Sequence, residues 1–290
     1  MGSINRGETF KLKDGRQIAF AEWGDPAGKP VFHFHGSSGS RLERPPDEDM
    51  LTGIRLITID RPGHGLSDFK PDFQLLDWPD DVIDVADHLG IDKFSVEGWS
   101  FGGPYSMACA FMIPDRVNAA GLISSFAPYD RPNSTEGMAG FNKVALGMAH
   151  RTPWLGKQYM RVQGRMMRGD PERLAKQLLS SVPESDKELF EQPETMAVLL
   201  ESIKEAFRIT SDGAAWEAIM LVRPWGFHLE EIRVPVYIWH GEIDVNDPLQ
   251  CGQYLRDKIP NAKATFFPDE GHFLILKRWG DILAQLVDET

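Results

Sequence analysis

The chain has 290 residues, a formal net charge of −12 and 42% hydrophobic residues. That apolar content suffices for a buried core and excludes a disordered chain, while the acidic balance disfavours nucleic acid and anionic membrane surfaces as partners. Two cysteines, Cys109 and Cys251, are too few for a disulfide framework. No signal peptide occupies Met1–Glu8 and no apolar run approaches about 20 residues, so a cytoplasmic location is expected.

Thr9–Lys13 and Arg16–Trp23 read as strands joined at Asp14-Gly15, a hairpin signal. Pro30–His35 is a strand that ends in the loop Gly36-Ser37-Ser38-Gly39-Ser40-Arg41. Ile54–Ile59 is almost wholly apolar, as a strand covered on both faces should be. It runs into Asp60-Arg61-Pro62-Gly63-His64-Gly65. Asp77–Leu89 places Val82, Ile83, Val85, Ala86 and Leu89 at helical spacing.

Phe94-Ser95-Val96-Glu97-Gly98-Trp99 then climbs to Ser100 and drops at once into a small-residue helix near Pro104–Ala110. Strand, sharp turn and helix around Gly98-Trp99-Ser100-Phe101-Gly102 have the form of a nucleophile elbow. A serine hydroxyl is a weak nucleophile and must be held in the open beside a base. The tight turn does this, and glycines relieve the crowding that it causes. The alternative is a plain turn whose serine caps the next helix.

Val117–Phe126 is the next strand. The alternation of strands and helices up to this point predicts an α/β fold with a mainly parallel sheet covered on both sides. From 129 to 225 the alternation stops and the pattern is helical, clearest at Pro193–Phe207. Asp170-Pro171 reads as a helix start and Ser185 with Glu188 as a capping box. The expected organisation is a first core part over 1–128, a helical cap over 129–225 and a second core part over 226–290. The sheet pattern resumes with strands at Val234–His240 and Ala264–Phe267 and helices at Asp247–Lys258 and Phe273–Val287.

Ligands bind at the carboxyl ends of strands in such sheets. His35-Gly36-Ser37-Ser38, Ser100, Asp244 and His272 all fall at strand ends. The chain order Ser100, Asp244, His272 is that of a Ser-Asp-His triad on this kind of sheet. Asp247 and Asp130 compete with Asp244 for the acid. Asp247, before Pro248, is more simply the cap of the next helix. His33 and His35 alternate on one strand face without partners at metal-ligand spacing, so no metal is expected. His64 reads as bracing its loop, His240 as a core residue, Asp60-Arg61 as scaffold and Arg41 as a surface residue.

The motifs Phe34-His35-Gly36, Asp60–Gly65, Gly98–Gly103, Trp239–Asp244 and Glu270-Gly271-His272-Phe273 occur in one order over most of the sheet portion. On these the chain resembles the cap-bearing α/β-hydrolases, a group of esterases, lactonases, haloperoxidase-like enzymes without cofactor and proline iminopeptidases. The resemblance implies Ser100 as nucleophile, His272 as base and Asp244 as its orienting acid. It implies an oxyanion hole from the backbone N–H groups of Phe101 and Ser37, with Ser38 as the next choice, and no cofactor.

The serine at the elbow disfavours epoxide and haloalkane substrates, whose enzymes carry a carboxylate there. The expected activity is hydrolysis of a carboxylic ester or lactone of a small to medium, partly apolar molecule. Alternatives are an aminopeptidase or carbon–carbon bond hydrolase with the same triad, or a binding protein with vestigial turnover. An aminopeptidase would need acidic residues for an ammonium, and Glu136, Glu201, Glu205 and Glu217 are the candidates. Trp154, Tyr159, Met160, Met166, Met167, Met196, Trp216, Met220 and Trp225 are available to line an apolar pocket or to pack the cap. Oligomeric state is left open.

Overall fold

The computed structural model describes residues 7–170, 172 and 179–288. Eight strands form one sheet in the order β1-β2-β4-β3-β5-β6-β7-β8. They are β1 (Glu8–Lys11), β2 (Gln17–Gly24), β3 (Lys29–Phe34), β4 (Ile54–Ile59), β5 (Phe94–Trp99), β6 (Val117–Ile123), β7 (Val236–Gly241) and β8 (Ala262–Phe267). β1 pairs antiparallel with β2, and β2 with β4; every other pair is parallel. The hairpin turns at Asp14-Gly15, where Gly15 takes φ +90°.

The order reverses between β3 and β5, since the chain passes from β3 outward to β4 before returning to β5 on the other side. Register pairs Phe34 with Gly98 and Trp99 with Ile123. The loops leaving β3, β5, β6 and β7 therefore open side by side, at the switch point where such sheets bind ligands. β6 stops at Ile123, three residues short of the expected end, because Ser124 takes φ +42°.

Helices α1 (Trp78–His88), α2 (Gly102–Met112), α8 (Leu249–Lys258) and α9 (Ile275–Asp288) cover the sheet. Two large buried clusters flank it. One contains Phe32, Phe34, Trp78, Phe94, Val96 and Tyr105; the other contains Trp23, Trp99, Trp239, Trp279, Leu283 and Leu286. α9 explains its own placement: Ile275, Trp279, Ile282, Leu283 and Leu286 recur at three- and four-residue spacing and are buried together.

Between β6 and β7 the described elements are all helical: α3 (Gly140–Arg151), α4 (Pro153–Gly169), α5 (Glu184–Leu189), α6 (Pro193–Ala206) and α7 (Asp212–Leu221). The expected helix start at Asp170-Pro171 falls at residues outside those described, although Asp170 itself closes α4. The capping box at Ser185 does not form. α5 starts at Glu184 behind Pro183 without a side-chain cap, and Ser185 Oγ is buried without a partner. Among the described residues no helix is long and apolar enough to cross a membrane.

Candidate active site

β5 is buried along its whole length, and the chain reverses at Ser100 with φ +55°. That left-handed backbone is costly for a residue with a Cβ and persists only where the surroundings impose it. Here they do. Ser100 N–H donates to Ile123 O at 2.9 Å, and Ser100 O accepts from Gly103 and Phe126 N–H at 3.1 Å each. A Cβ on Gly98 would strike the Gly102 carbonyl, and one on Gly102 would strike the Phe34 carbonyl. α2 consequently begins at Gly102, two residues before the sequence pattern suggests, with Phe101 at its cap.

Asp244 lies in the loop after β7 and His272 in the loop after β8. Asp244 Oδ2 and His272 Nδ1 are 2.8 Å apart, and both residues are buried. Asp244 Oδ1 accepts from Asn246 and Asp247 N–H at 2.8 and 3.0 Å, which fixes the carboxylate plane. Trp99 Nε1 donates to His272 O at 3.0 Å, tying the histidine loop to the elbow strand. Asp130, the acid on the earlier strand end, is exposed.

Ser100 Oγ and His272 share no hydrogen bond among the described residues. The Ser100 hydroxyl instead donates to Asp247 Oδ2 at 3.2 Å. Asp247 is therefore not the expected helix cap. α8 begins at Leu249 behind Pro248, and the Asp247 side chain turns inward, almost fully buried. Burial pushes the Asp247 carboxyl up to about 7, against the attraction of His272. Burial works against the His272 cation too, but Asp244, Asp247 and Asp186 outweigh it and hold His272 up to about 9.

On the other side of the elbow, Gly39 N–H closes a turn onto Gly36 O at 3.1 Å. Ser37 and Ser38 are the central residues of this turn, half-buried beside the β5 end. The turn is braced from below: Arg61 Nη1 donates to His35 O, and Nη2 donates to Gly36 O at 3.1 Å.

A model of the family described as alpha/beta hydrolase fold matches residues 29–278. The chain belongs to this family. Two curated relatives are pimeloyl-[acyl-carrier protein] methyl ester esterases. The one from Nitrosomonas europaea is 28% identical over 232 residues, 78% of this chain and 81% of that protein. The one from Legionella pneumophila (strain Corby) is 23% identical over 269 residues, 90% of this chain and 95% of that protein. A match of 31% identity over 128 residues spans only 45% of a Bacillus subtilis relative. Among solved structures, a thermophilic esterase from Thermogutta terrifontis superimposes with a TM-score of 0.70 at 22% identity, covering 97% of each chain. That likeness bears on the fold.

Within this α/β-hydrolase, several buried polar residues organise the site from behind. Arg61 is fully buried and pairs with Glu217 of α7, Nε to Oε1 at 2.6 Å, while Tyr105 OH donates to the same carboxylate at 2.7 Å. One guanidinium thus joins the β3 turn, α2 and the helical segment, which gives the scaffold reading of Asp60-Arg61 its physical content. Arg41 is not at the surface. It is buried between Asp60, at 2.6 Å, and Glu205 of α6, at 2.8 Å. Asp186 of α5 accepts the backbone N–H of His272 at 2.9 Å and of Phe273 at 3.2 Å, so the helical segment also holds the histidine loop.

His33 bridges Glu43 at 2.8 Å and Glu97 at 3.1 Å, and burial notwithstanding these carboxylates raise it to about 9, a buried cation in the sheet. Trp279 Nε1 donates to the same Glu97 oxygen, Oε1, at 2.7 Å, while Glu97 Oε2 is buried without a hydrogen-bond partner. His240 Nε2 meets Asp247 O at 2.7 Å inside the core. His64 braces its loop by ring packing against His35, with centroids 5.1 Å apart, and both its ring nitrogens are buried without partners.

Of the glutamates considered for an ammonium, Glu217 is taken by Arg61, Glu205 by Arg41 and Arg208, and Glu201 by Arg44. Glu136 remains exposed. Trp154 and Met166, 69% and 50% exposed, lie on the outside of the helical segment and line no interior pocket, whereas Met167, Met220 and Trp225 are buried.

Replacing Glu217 by Ala leaves Arg61 charged and unpaired in the core and removes the Tyr105 acceptor. Loss of one partner of a buried pair costs about 3–5 kcal/mol. Urea unfolding of Glu217→Ala is expected to show that loss, and a change under about 1 kcal/mol would contradict the bracing role of this cluster.

Proposed function

We propose that the chain is a serine hydrolase that cleaves a carboxylic ester or lactone through an acyl-enzyme. The observation that carries this reading is the strained Ser100 at φ +55°, set beside a buried His272–Asp244 pair at 2.8 Å on neighbouring strand ends. Ser100 Oγ attacks the acyl carbon, and its proton passes to His272 Nε2. Asp244 keeps the Nδ1 proton in place and stabilises the imidazolium. The oxyanion is received by the Phe101 N–H and by an N–H of the Gly36–Gly39 turn, Ser37 first and Ser38 second; one such donor is worth about 10²–10³ in rate. His272 then returns its proton to the leaving oxygen, and water reverses the sequence to free Ser100. In unliganded sites such hydrogen bonds are often long and tighten only with substrate, so a Ser100 hydroxyl turned to Asp247 is compatible with this chemistry.

The helical segment from 129 to 225 acts as the cap in this reading. Arg61–Glu217, Arg41–Glu205 and Asp186–His272 fasten it over the strand ends. The pairing of Glu201, Glu205 and Glu217 with arginines argues against an aminopeptidase, which would need a free carboxylate for the substrate ammonium.

A carrier-borne ester is a second reading, favoured by charge. In a chain of net −12, residues 140–169 hold Lys143, Arg151, Lys157, Arg161, Arg165 and Arg168 and no Asp or Glu. The same helices expose Phe141, Val144, Trp154 and Leu155. A basic surface with apolar anchors suits an acidic carrier that delivers its acyl ester to the cap.

Two experiments separate the readings. A panel of p-nitrophenyl esters, lactones and dipeptide amides should give turnover with the esters or lactones; turnover of amides alone would overturn the ester reading. Arg165→Glu with Lys157→Glu should lower kcat/KM for a carrier-bound methyl ester at least about tenfold and leave the free methyl ester unchanged, and equal effects on both would remove the carrier reading.

A further inference from the structure

Asp247 is unused by the mechanism above, yet among the described residues it is the hydrogen-bond partner of Ser100 Oγ, at 3.2 Å. It is buried, carries no cap function and, among the described residues, has several charged and titratable groups around it. Ser100 reaches it from the elbow. His272, from the loop after β8, attracts it electrostatically. Asp244 shares its own loop, with Oδ1 accepting the Asp247 N–H at 3.0 Å. His240 at the end of β7 takes its carbonyl at 2.7 Å. Arg131, after β6, and Cys251, of α8, lie behind it and bond each other, Nη2 to Sγ at 2.8 Å. Asp186 faces His272 from the far side.

We propose that Asp247 is a further catalytic residue of the site, a second carboxyl that competes with His272 for the Ser100 proton. As a carboxylate it can only accept, so it draws the Ser100 hydroxyl toward itself and away from His272 Nε2. Its negative charge also favours the imidazolium, which cannot serve as a base. As a carboxylic acid it donates to Ser100 Oγ, and the serine proton is then free to point at a neutral His272. Moving one proton from the imidazolium to Asp247 therefore converts the resting arrangement into the attacking one, with no change in the total number of protons. The attack itself stays balanced: the Ser100 O–H bond breaks, its proton goes to His272 Nε2, and Oγ bonds the acyl carbon.

The inference rests on the serine-hydrolase reading, and the experiment keeps the two apart. Asp247→Asn keeps the shape and removes the charge. The rate of a general base rises as pH climbs through its pKa, and His272 is held up partly by Asp247. Removing that charge lowers the His272 pKa, so the acid limb of kcat/KM for a p-nitrophenyl ester should move to lower pH by about one unit or more, with activity at pH 7 raised relative to the plateau. The pH dependence of the rate of fluorophosphonate labelling of Ser100 should shift the same way, in Asp247→Asn and in Asp247→Val alike.

A residue with a merely structural role would lower the rate at every pH without moving the limb. A limb unmoved in both folded variants, by both readouts, would overturn the proposal. Were the wild-type protein neither to turn over ester nor to be labelled at Ser100, the hydrolase reading itself would fall, and with it this one.

Discussion

Ser100→Ala is expected to reduce kcat for p-nitrophenyl ester hydrolysis by about 10⁴-fold or more, with the thermal midpoint kept within a few degrees of the wild type. Alanine removes the oxygen that bonds the acyl carbon, and what survives is binding plus the oxyanion donors. The folded state loses one long hydrogen bond to Asp247 and keeps every backbone bond of the elbow. Alanine has the same Cβ as serine, so the strain at φ +55° is unchanged. Activity and stability should therefore separate cleanly. Turnover within tenfold of the wild type would mean that some other group attacks the substrate.

The second large effect distinguishes the two aspartates of one loop. Asp244→Asn should lower kcat by about 10⁴-fold, because an amide no longer holds His272 in the tautomer that leaves Nε2 free as a base. Asp247→Asn should not follow it, since its main effect is on the pH at which His272 becomes neutral. The distances set this contrast. Asp244 Oδ2 lies 2.8 Å from His272 Nδ1, whereas Asp247 Oδ2 lies 3.2 Å from Ser100 Oγ. Were Asp247→Asn the crippling variant and Asp244→Asn the mild one, the assignment of the acid would be reversed. Steady-state kinetics on both variants over pH 5 to 10 would decide it.

The elbow was legible from the sequence because its chemistry is steric. Only glycine fits where a Cβ at 98 or 102 would meet a carbonyl, so the pattern around Ser100 survives as residue identity. The strand ends carrying Asp244 and His272 were legible because β7 is a short apolar run, β8 alternates apolar with polar residues, and glycine-bearing loops close both.

The buried polar groups were harder. Arg41 and Glu217 carry residue types that usually face water, and their partners Asp60 and Glu205, or Arg61 and Tyr105, lie far away in sequence. One local signal did exist for Glu217. The run Gly213-Ala214-Ala215-Trp216-Glu217-Ala218-Ile219-Met220-Leu221 is apolar all round, and such a helix is buried, so its lone acid needs a partner. Asp247 offered no comparable clue. An aspartate directly before a proline fits a helix start as well as a buried acid, and only its burial and its contact with Ser100 Oγ show which way its side chain turns.

Asp186 was hidden for a related reason. Its helix is six residues long, and the neighbouring Ser185 and Glu188 imitate a capping pair.

The most direct test of the account is intact-protein mass spectrometry after reaction with a fluorophosphonate, followed by mapping of the modified peptide. A single adduct on Ser100 is expected, formed in the wild type, absent in Ser100→Ala and strongly slowed in His272→Ala. An adduct on any other residue, or ester hydrolysis that continues while Ser100 is fully modified, would contradict it.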